Sequence, residues 1–235
     1  MRHVVYICGE ADSGILGRTL CEELGYEFMN TNSDDRIPLD LFKGEHSGHD
    51  FWHSMRVYQN AMRIAWGETC DREVVALAAL LHDVDDTKLF ETRDYANARK
   101  MLKECGIDGD RAENVITVIK GISFGKNGTN PPETLEGKIV QDADRLDAIG
   151  ALGIARAFAF GGSRGRTMYE PEFMMGEGDM VPPGVPSTTI FHFYEKLFLL
   201  KDGMNTETAR TIAVQRDTVM QAFLDEFFAE WNGKR

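Results

Sequence analysis

The chain has 235 residues, 43% hydrophobic and 10% aromatic, which suits one domain with a full core, or one domain plus an appendage. A net charge of −12 argues against a nucleic-acid polymer as partner, whose backbone favours basic surfaces, but not against a small phosphorylated molecule held by a few Lys and Arg. No apolar run approaches the roughly 20 residues of a membrane span, and the opening apolar segment is too short for a secretory signal. Cys8, Cys21, Cys70 and Cys105 are far apart and form no CxxC pair. They are expected to be reduced thiols of a cytoplasmic protein, with no chemical role.

Residues 3–8 (HVVYIC) read as a short strand, 9–14 as a glycine-bounded turn, about 15–24 as a helix and 26–29 as a second strand. Strand, G-x4-G turn and helix is the order of a phosphate-binding loop, which needs Lys and then Ser/Thr after the second glycine. Ile15 and Leu16 stand there instead. Residues 1–36 are therefore expected to be an α/β-like packing or dimerisation appendage rather than a kinase-like site, which leaves room for a homodimer. Residues 30–36 (NTNSDDR) would link it to the rest.

From Ile37 the pattern is helical and the fold class is all-α, with the main domain at 37–235. A helix at 50–66 carries Met55, Tyr58, Met62 and Ala65 on one face, and His53, Val57, Ala61 and Ile64 on the adjacent stripe. Asp71 is the expected N-cap of the next helix, whose stretch 74–81 is almost wholly apolar and should be central. Further helices are expected at 95–105, ended by Gly106, and at 111–120, stopped by Gly121. Residues 135–160 read as one long helix, or as two with a break near Gly150 and Gly153. The Gly- and Pro-rich segment 161–187 reads as a lid or binding loop, or else as disordered. Helices at 188–201 and 206–231 complete the chain, the last with Ile212, Met220, Phe223, Phe227 and Trp231 near one face.

Two clusters of carboxylates sit where packing alone would want none. In ALAALLHDVDD an apolar helix runs into His82, Asp83, Asp85 and Asp86. In QDADRLDAIGALGIA, Asp142, Asp144 and Asp147 interrupt a small and apolar helix, with Asp144 and Asp147 three apart and sharing a face. Unpaired charge in a dry interior costs several kcal/mol, and a bound metal ion would offset it. Histidine is scarce: of six, His46, His49 and His53 lie within eight residues. His53 alone would read as a structural core residue; it gains meaning only beside the other clusters.

His53 in GHDFWHSMRV, His82 and Asp83 in LLHDVDD, and Asp144 in DADRLDAIGA together form an H…HD…D pattern that resembles the HD-domain superfamily of metal-dependent phosphohydrolases. HDVDDTKLF, ISFG at 122–125, GGSRGRTMYEP at 161–171 and HFYEKLFLLKDGMNT at 192–206 are similar to its small single-domain bacterial branch. The resemblance implies an HD helical fold and one divalent ion (Mn, Fe, Co, Ni or Mg) held by His53, His82, Asp83 and Asp144, with coordination positions left open. Two-metal relatives use extra histidines between the dyad and the last aspartate, and residues 84–191 contain none. Asp86 would orient the attacking water or take its proton, and Lys88 would bind a phosphate. His49, Lys126, Arg145, Asp147, Arg164, Arg166, His192 and Lys196 are the expected substrate contacts, with His46 and Lys201 as further candidates. The implied reaction is release of pyrophosphate from a (deoxy)nucleoside triphosphate. Hydrolysis of a nucleoside monophosphate or of a cyclic or signalling nucleotide is the rival within the class, and a nucleotide-sensing module the rival outside it. Asp85 has no role in this reading.

Overall fold

The computed structural model describes residues 51–86, 91–122, 131–171 and 187–235. The appendage expected at 1–36, the linker, and the candidates His46, His49, Lys88 and Lys126 lie outside the described residues. Every regular element among the described residues is helical, in line with the expected class.

Helix α1 (Phe51–Ala65) buries both predicted stripes, with Val57, Ala61, Ile64 and Ala65 fully enclosed and Met55 and Tyr58 nearly so. Helix α2 (Arg72–Leu81) begins where the Asp71 carboxylate accepts hydrogen bonds from Glu73 N at 3.1 Å and Val74 N at 3.2 Å. Every residue from Val74 to Ala79 is buried, so α2 has no solvent face along its middle, and it packs against α1, α4 and α5. These are α4 (Gly109–Ile122) and α5 (Leu135–Asp147). Gly121 does not stop α4, which runs through it; a glycine inside a helix costs only about 1 kcal/mol and tertiary packing absorbs that.

Helix α3 (Ala96–Glu104) is capped from elsewhere in the chain. Asp94 and Tyr95 take left-handed backbone angles, and Tyr95 supplies no side-chain cap. Asp85 fills the gap: its carboxylate accepts from Asn97 N at 3.1 Å and Ala98 N at 2.8 Å, while Asn97 Nδ2 donates to the Val84 carbonyl at 2.7 Å. The aspartate without a role in the sequence is thus a helix cap.

The stretch 135–160 resolves into two helices, α5 and α6 (Gly150–Ser163), with the break at Ala148 and Ile149. Gly150 restarts the chain at φ +76, and a Cβ there would lie 2.9 Å from Arg216 Cγ. At Gly153 a Cβ would lie 2.3 Å from the Ala148 carbonyl oxygen, so this turn requires a residue without a side chain. The single helix expected at 188–201 is α7 (Thr189–His192), a π-helical turn (Phe193–Leu197) and α8 (Leu199–Asp202), with Phe198 N donating to Phe193 O at 2.9 Å across the π turn. Helix α9 (Glu207–Trp231) closes the fold, burying Ile212 and Met220, half-burying Phe223 and Phe227 and leaving Trp231 more exposed. Tyr169 packs edge-on against Phe227, Phe228 and Trp231, which fastens the segment after α6 to α9.

Asp142, fully buried on α5, anchors the start of α9. Its carboxylate accepts four hydrogen bonds at 2.8 Å, from Asn205 N, Asn205 Nδ2, Thr206 N and Thr206 Oγ1. Replacing Asp142 by alanine takes the acceptor from Asn205 N, Thr206 N and Thr206 Oγ1, leaves Asn205 Nδ2 with Gln141 Oε1 only, and is expected to lower stability by about 2–4 kcal/mol. A urea midpoint unchanged from wild type would show that water satisfies Asn205 and Thr206 instead. No helix among the described residues is long and apolar enough to cross a membrane. Neither Cys70 nor Cys105 takes part in a disulfide.

Candidate metal centre

Three helices meet at the candidate site. α1 carries His53, fully buried; the C-terminus of α2 carries His82 and Asp83; α5 carries Asp144, whose side chain is 48% exposed. His53 Nε2 lies 3.2 Å from His82 Nε2, 3.3 Å from Asp83 Oδ2 and 3.4 Å from Asp144 Oδ1. His82 Nε2 lies 3.4 Å from Asp83 Oδ1, so Asp83 turns one oxygen to each imidazole. Donor atoms of His53, His82 and Asp144 all fall within 4.8 Å of one another.

The opposite ring nitrogens explain why the two Nε2 atoms face each other. His53 Nδ1 lies 2.8 Å from Asp147 Oδ2 and His82 Nδ1 lies 2.8 Å from the Ala79 carbonyl. Both partners are acceptors, so each Nδ1 carries the hydrogen and each Nε2 presents a lone pair. Two such lone pairs 3.2 Å apart beside two carboxylates repel unless a cation, a metal ion or a proton, stands between them. Imidazole nitrogens and carboxylate oxygens gathered at 3.2–3.4 Å around His53 Nε2 are a donor set of the kind that would hold a divalent ion. The residues therefore fit a divalent metal. Burial acts to lower the His53 pKa, but its hydrogen bonds to Asp147 and Asp83 and the charges of Asp144 and Asp83 outweigh that and raise it to about 9. A positive charge is favoured at this point even as a proton.

Asp147 differs from its expected place among substrate contacts. It is fully buried and stands behind His53 rather than beside Asp144. Arg56 grips it with Nε at 2.7 Å from Oδ1 and Nη2 at 3.1 Å from Oδ2, and Arg156 Nη1 reaches Oδ2 at 2.5 Å. Burial would push the Asp147 carboxyl up, but the hydrogen bonds from His53 and Arg56, with the nearby charges, hold it well below the usual carboxylate range. Neither arginine stood out in the sequence. Arg56 lies three residues beyond His53, the one signal that it shares the His53 face. Arg156 had no signal, because its direction depends on where α5 ends.

Asp86 is half-buried at the end of a tight turn, where Val84 N meets Leu81 O at 3.4 Å and Asp86 N meets Asp83 O at 3.1 Å. It follows Asp83 by one turn of chain rather than continuing α2. Arg145 Nη1 donates to the Gly203 carbonyl, which ties α5 to the loop before α9, and burial lowers its pKa against the pull of Asp142 and Asp144. Arg164 is exposed and lies over the Phe160 ring at 5.5 Å. His192 Nδ1 pairs with Glu195 Oε1 at 2.7 Å, and Ser187 Oγ donates to the same oxygen at 3.1 Å. Burial lowers the His192 pKa; Glu195 opposes this, while the charges of Lys196 and Arg166 add to it. Lys201 is taken up by Asp217 at 3.0 Å.

The HD-domain family model matches residues 51–149, from the start of α1 to the break after α5. YpgQ of Bacillus subtilis is 41% identical over 188 residues, which cover 78% of this chain and 85% of YpgQ. The crystal structure of Bacillus subtilis YpgQ in complex with ADP superposes with a TM-score of 0.66 at 37% identity, covering 81% of this chain and 94% of that one. An HD-superfamily hydrolase from Bacillus thuringiensis gives a TM-score of 0.64 at 39% identity, covering 82% and 91%. Likeness of this depth over nearly the whole of YpgQ, with the H…HD…D residues gathered at one point, places the chain in the HD-domain superfamily as a metal-dependent phosphohydrolase.

Proposed function

We propose that the protein hydrolyses a (deoxy)nucleoside triphosphate to the monophosphate and pyrophosphate, using one divalent ion (Mn, Fe, Co, Ni or Mg) held by His53, His82, Asp83 and Asp144. The observation that carries the nucleotide is the ADP found with YpgQ, a relative of the same fold and 37% identity. An ion at that site supplies polarisation of a phosphoryl oxygen and a bound water of lowered pKa. The chain does the rest. Asp147 and the Ala79 carbonyl fix both imidazoles with Nε2 turned inward. Asp144, the most exposed of the four ligands, leaves an approach open on its side. Asp86 orients the water and accepts its proton as the bond to phosphorus forms. Lys88 neutralises charge on the phosphates.

The test is a screen of the purified protein with added Mn²⁺ against nucleoside and deoxynucleoside triphosphates, monophosphates and cyclic nucleotides, resolving phosphate from pyrophosphate. Pyrophosphate from a triphosphate is expected. Phosphate from a monophosphate would replace the substrate while keeping the site, and bound nucleotide with no turnover would make this a sensor. Asp86→Asn is expected to lower kcat by roughly 10²-fold or more with metal content unchanged. Loss of the metal in that variant would make Asp86 a ligand.

A further inference from the structure

We propose that Asn97 is a positioning residue for the reaction: with Asp85 it fixes the turn that follows His82 and Asp83, and so sets where Asp86 stands. This rests on the role proposed for Asp86 above, and Asn97 acts through that residue rather than on the substrate. The turn and the start of α3 hold each other in both directions. The Asp85 carboxylate accepts from Asn97 N at 3.1 Å and Ala98 N at 2.8 Å, and the Asn97 side-chain amide donates back to the Val84 carbonyl at 2.7 Å.

The two halves of this exchange do different things. Asp85 caps α3, a task that the helix's own cap position leaves undone, since Tyr95 stands there in a left-handed conformation and gives no side-chain hydrogen bond. The Asn97 amide adds nothing to that cap; it satisfies a carbonyl of the turn. Each residue of the turn before Asp86 is thereby held by a different neighbour. Asp83 faces both imidazoles at 3.3 and 3.4 Å, Val84 is buried with its carbonyl on Asn97, and Asp85 is bound to the first turn of α3. Asp86 N donates to the Asp83 carbonyl at 3.1 Å, so Asp86 takes its position from these three residues. A proton acceptor must lie within hydrogen-bond reach of the water it serves, and a misplacement of about 1 Å costs up to roughly 10²-fold in rate. Helix α2 does not supply that precision, because it ends at Leu81. Helix α3 does, and Asn97 is the side chain that carries it to the backbone of the turn.

The experiment is a double-mutant cycle on the Mn²⁺-loaded full chain, with Asn97→Ala, Asp86→Asn and the pair, reading kcat and KM for pyrophosphate release from dNTPs and NTPs. Asn97→Ala keeps the backbone N–H groups that Asp85 caps, so α3 is expected to stay folded. It is expected to lower kcat about tenfold, while KM and Mn²⁺ affinity stay within about threefold. In the Asp86→Asn background the same change is expected to alter kcat by no more than about twofold, because the group it positions is already gone. If Asn97→Ala does not fold, Asn97→Ser takes its place in the cycle, its hydroxyl being too short to span to Val84. Equal losses with and without Asp86, Mn²⁺ affinity falling in step with kcat, or a wild-type kcat in Asn97→Ala would each overturn the proposal and leave Asn97 as a structural tie. A wild-type kcat in Asp86→Asn would overturn the role of Asp86, and no turnover of any triphosphate by the wild type would overturn the reaction itself; this inference falls with either.

Discussion

Asp83→Ala is expected to abolish both stoichiometric metal binding and hydrolysis, while the helices remain folded. Asp83 is largely buried and gives one carboxylate oxygen to the vicinity of each histidine, at 3.3 Å from His53 and 3.4 Å from His82. Its loss removes one of two negative charges from the site and leaves the facing Nε2 lone pairs with Asp144 alone. Outer-shell substitutions at metal sites cost roughly 10–100-fold in affinity or activity, and loss of Asp83, which we propose as a charged ligand, should exceed that range. Metal content after purification, Mn²⁺ titration and turnover read the effect, and circular dichroism reads the fold. Wild-type activity in this variant would remove Asp83 from the ligand set and require the ion, if present, to be held elsewhere.

What the sequence conveyed, and where it fell short, divides along the range of the interactions. Each element's existence follows from local pattern: Asp71 caps α2 through donors two and three residues away, and the apolar run after it becomes the buried centre. The two carboxylate clusters were visible as anomalies for the same reason. Their internal division was not. Asp85 caps a helix twelve and thirteen residues on, and Asp142 holds the two residues that lead into a helix more than sixty residues on, so nothing in the local sequence could name their partners. Asp147 was misplaced for a geometric reason. Residues three apart on a helix share a face only loosely, since they differ by roughly 60° about the axis. That offset is enough to turn Asp144 toward His53 Nε2 and Asp147 toward Nδ1 of the same ring. The break at Ala148 and Ile149, which sends α6 back so that Arg156 meets Asp147, depends on Gly150 and Gly153. Those glycines were legible; the direction the chain takes after them was not. The π turn at Phe193–Leu197 was equally hidden, because an extra residue per turn leaves the helical pattern of apolar positions almost unchanged.

Asp147→Ala is expected to cost the most stability of any change at the site, by about 3–5 kcal/mol, because it removes the one buried carboxylate on which these cations converge. In the wild type one fully buried carboxylate accepts from His53, Arg56 and Arg156, drawn from α1 and α6 onto the last residue of α5. With alanine there, Arg56 and Arg156, whose side chains are 27% and 23% exposed, lose the carboxylate they share, and His53 loses the partner that fixes its ring. Calorimetry in the presence of a chelator separates this from metal loss, and a fall in Tm of about 10 °C is expected for a chain of this size. Asp147→Asn, which keeps an acceptor for His53 but drops the charge, should fall between alanine and wild type. A Tm within about 2 °C of wild type for Asp147→Ala would mean that both guanidiniums swing into solvent at little cost. The three elements would then be held together by apolar packing alone, and the buried charges would serve the ion and its substrate without bearing on the fold.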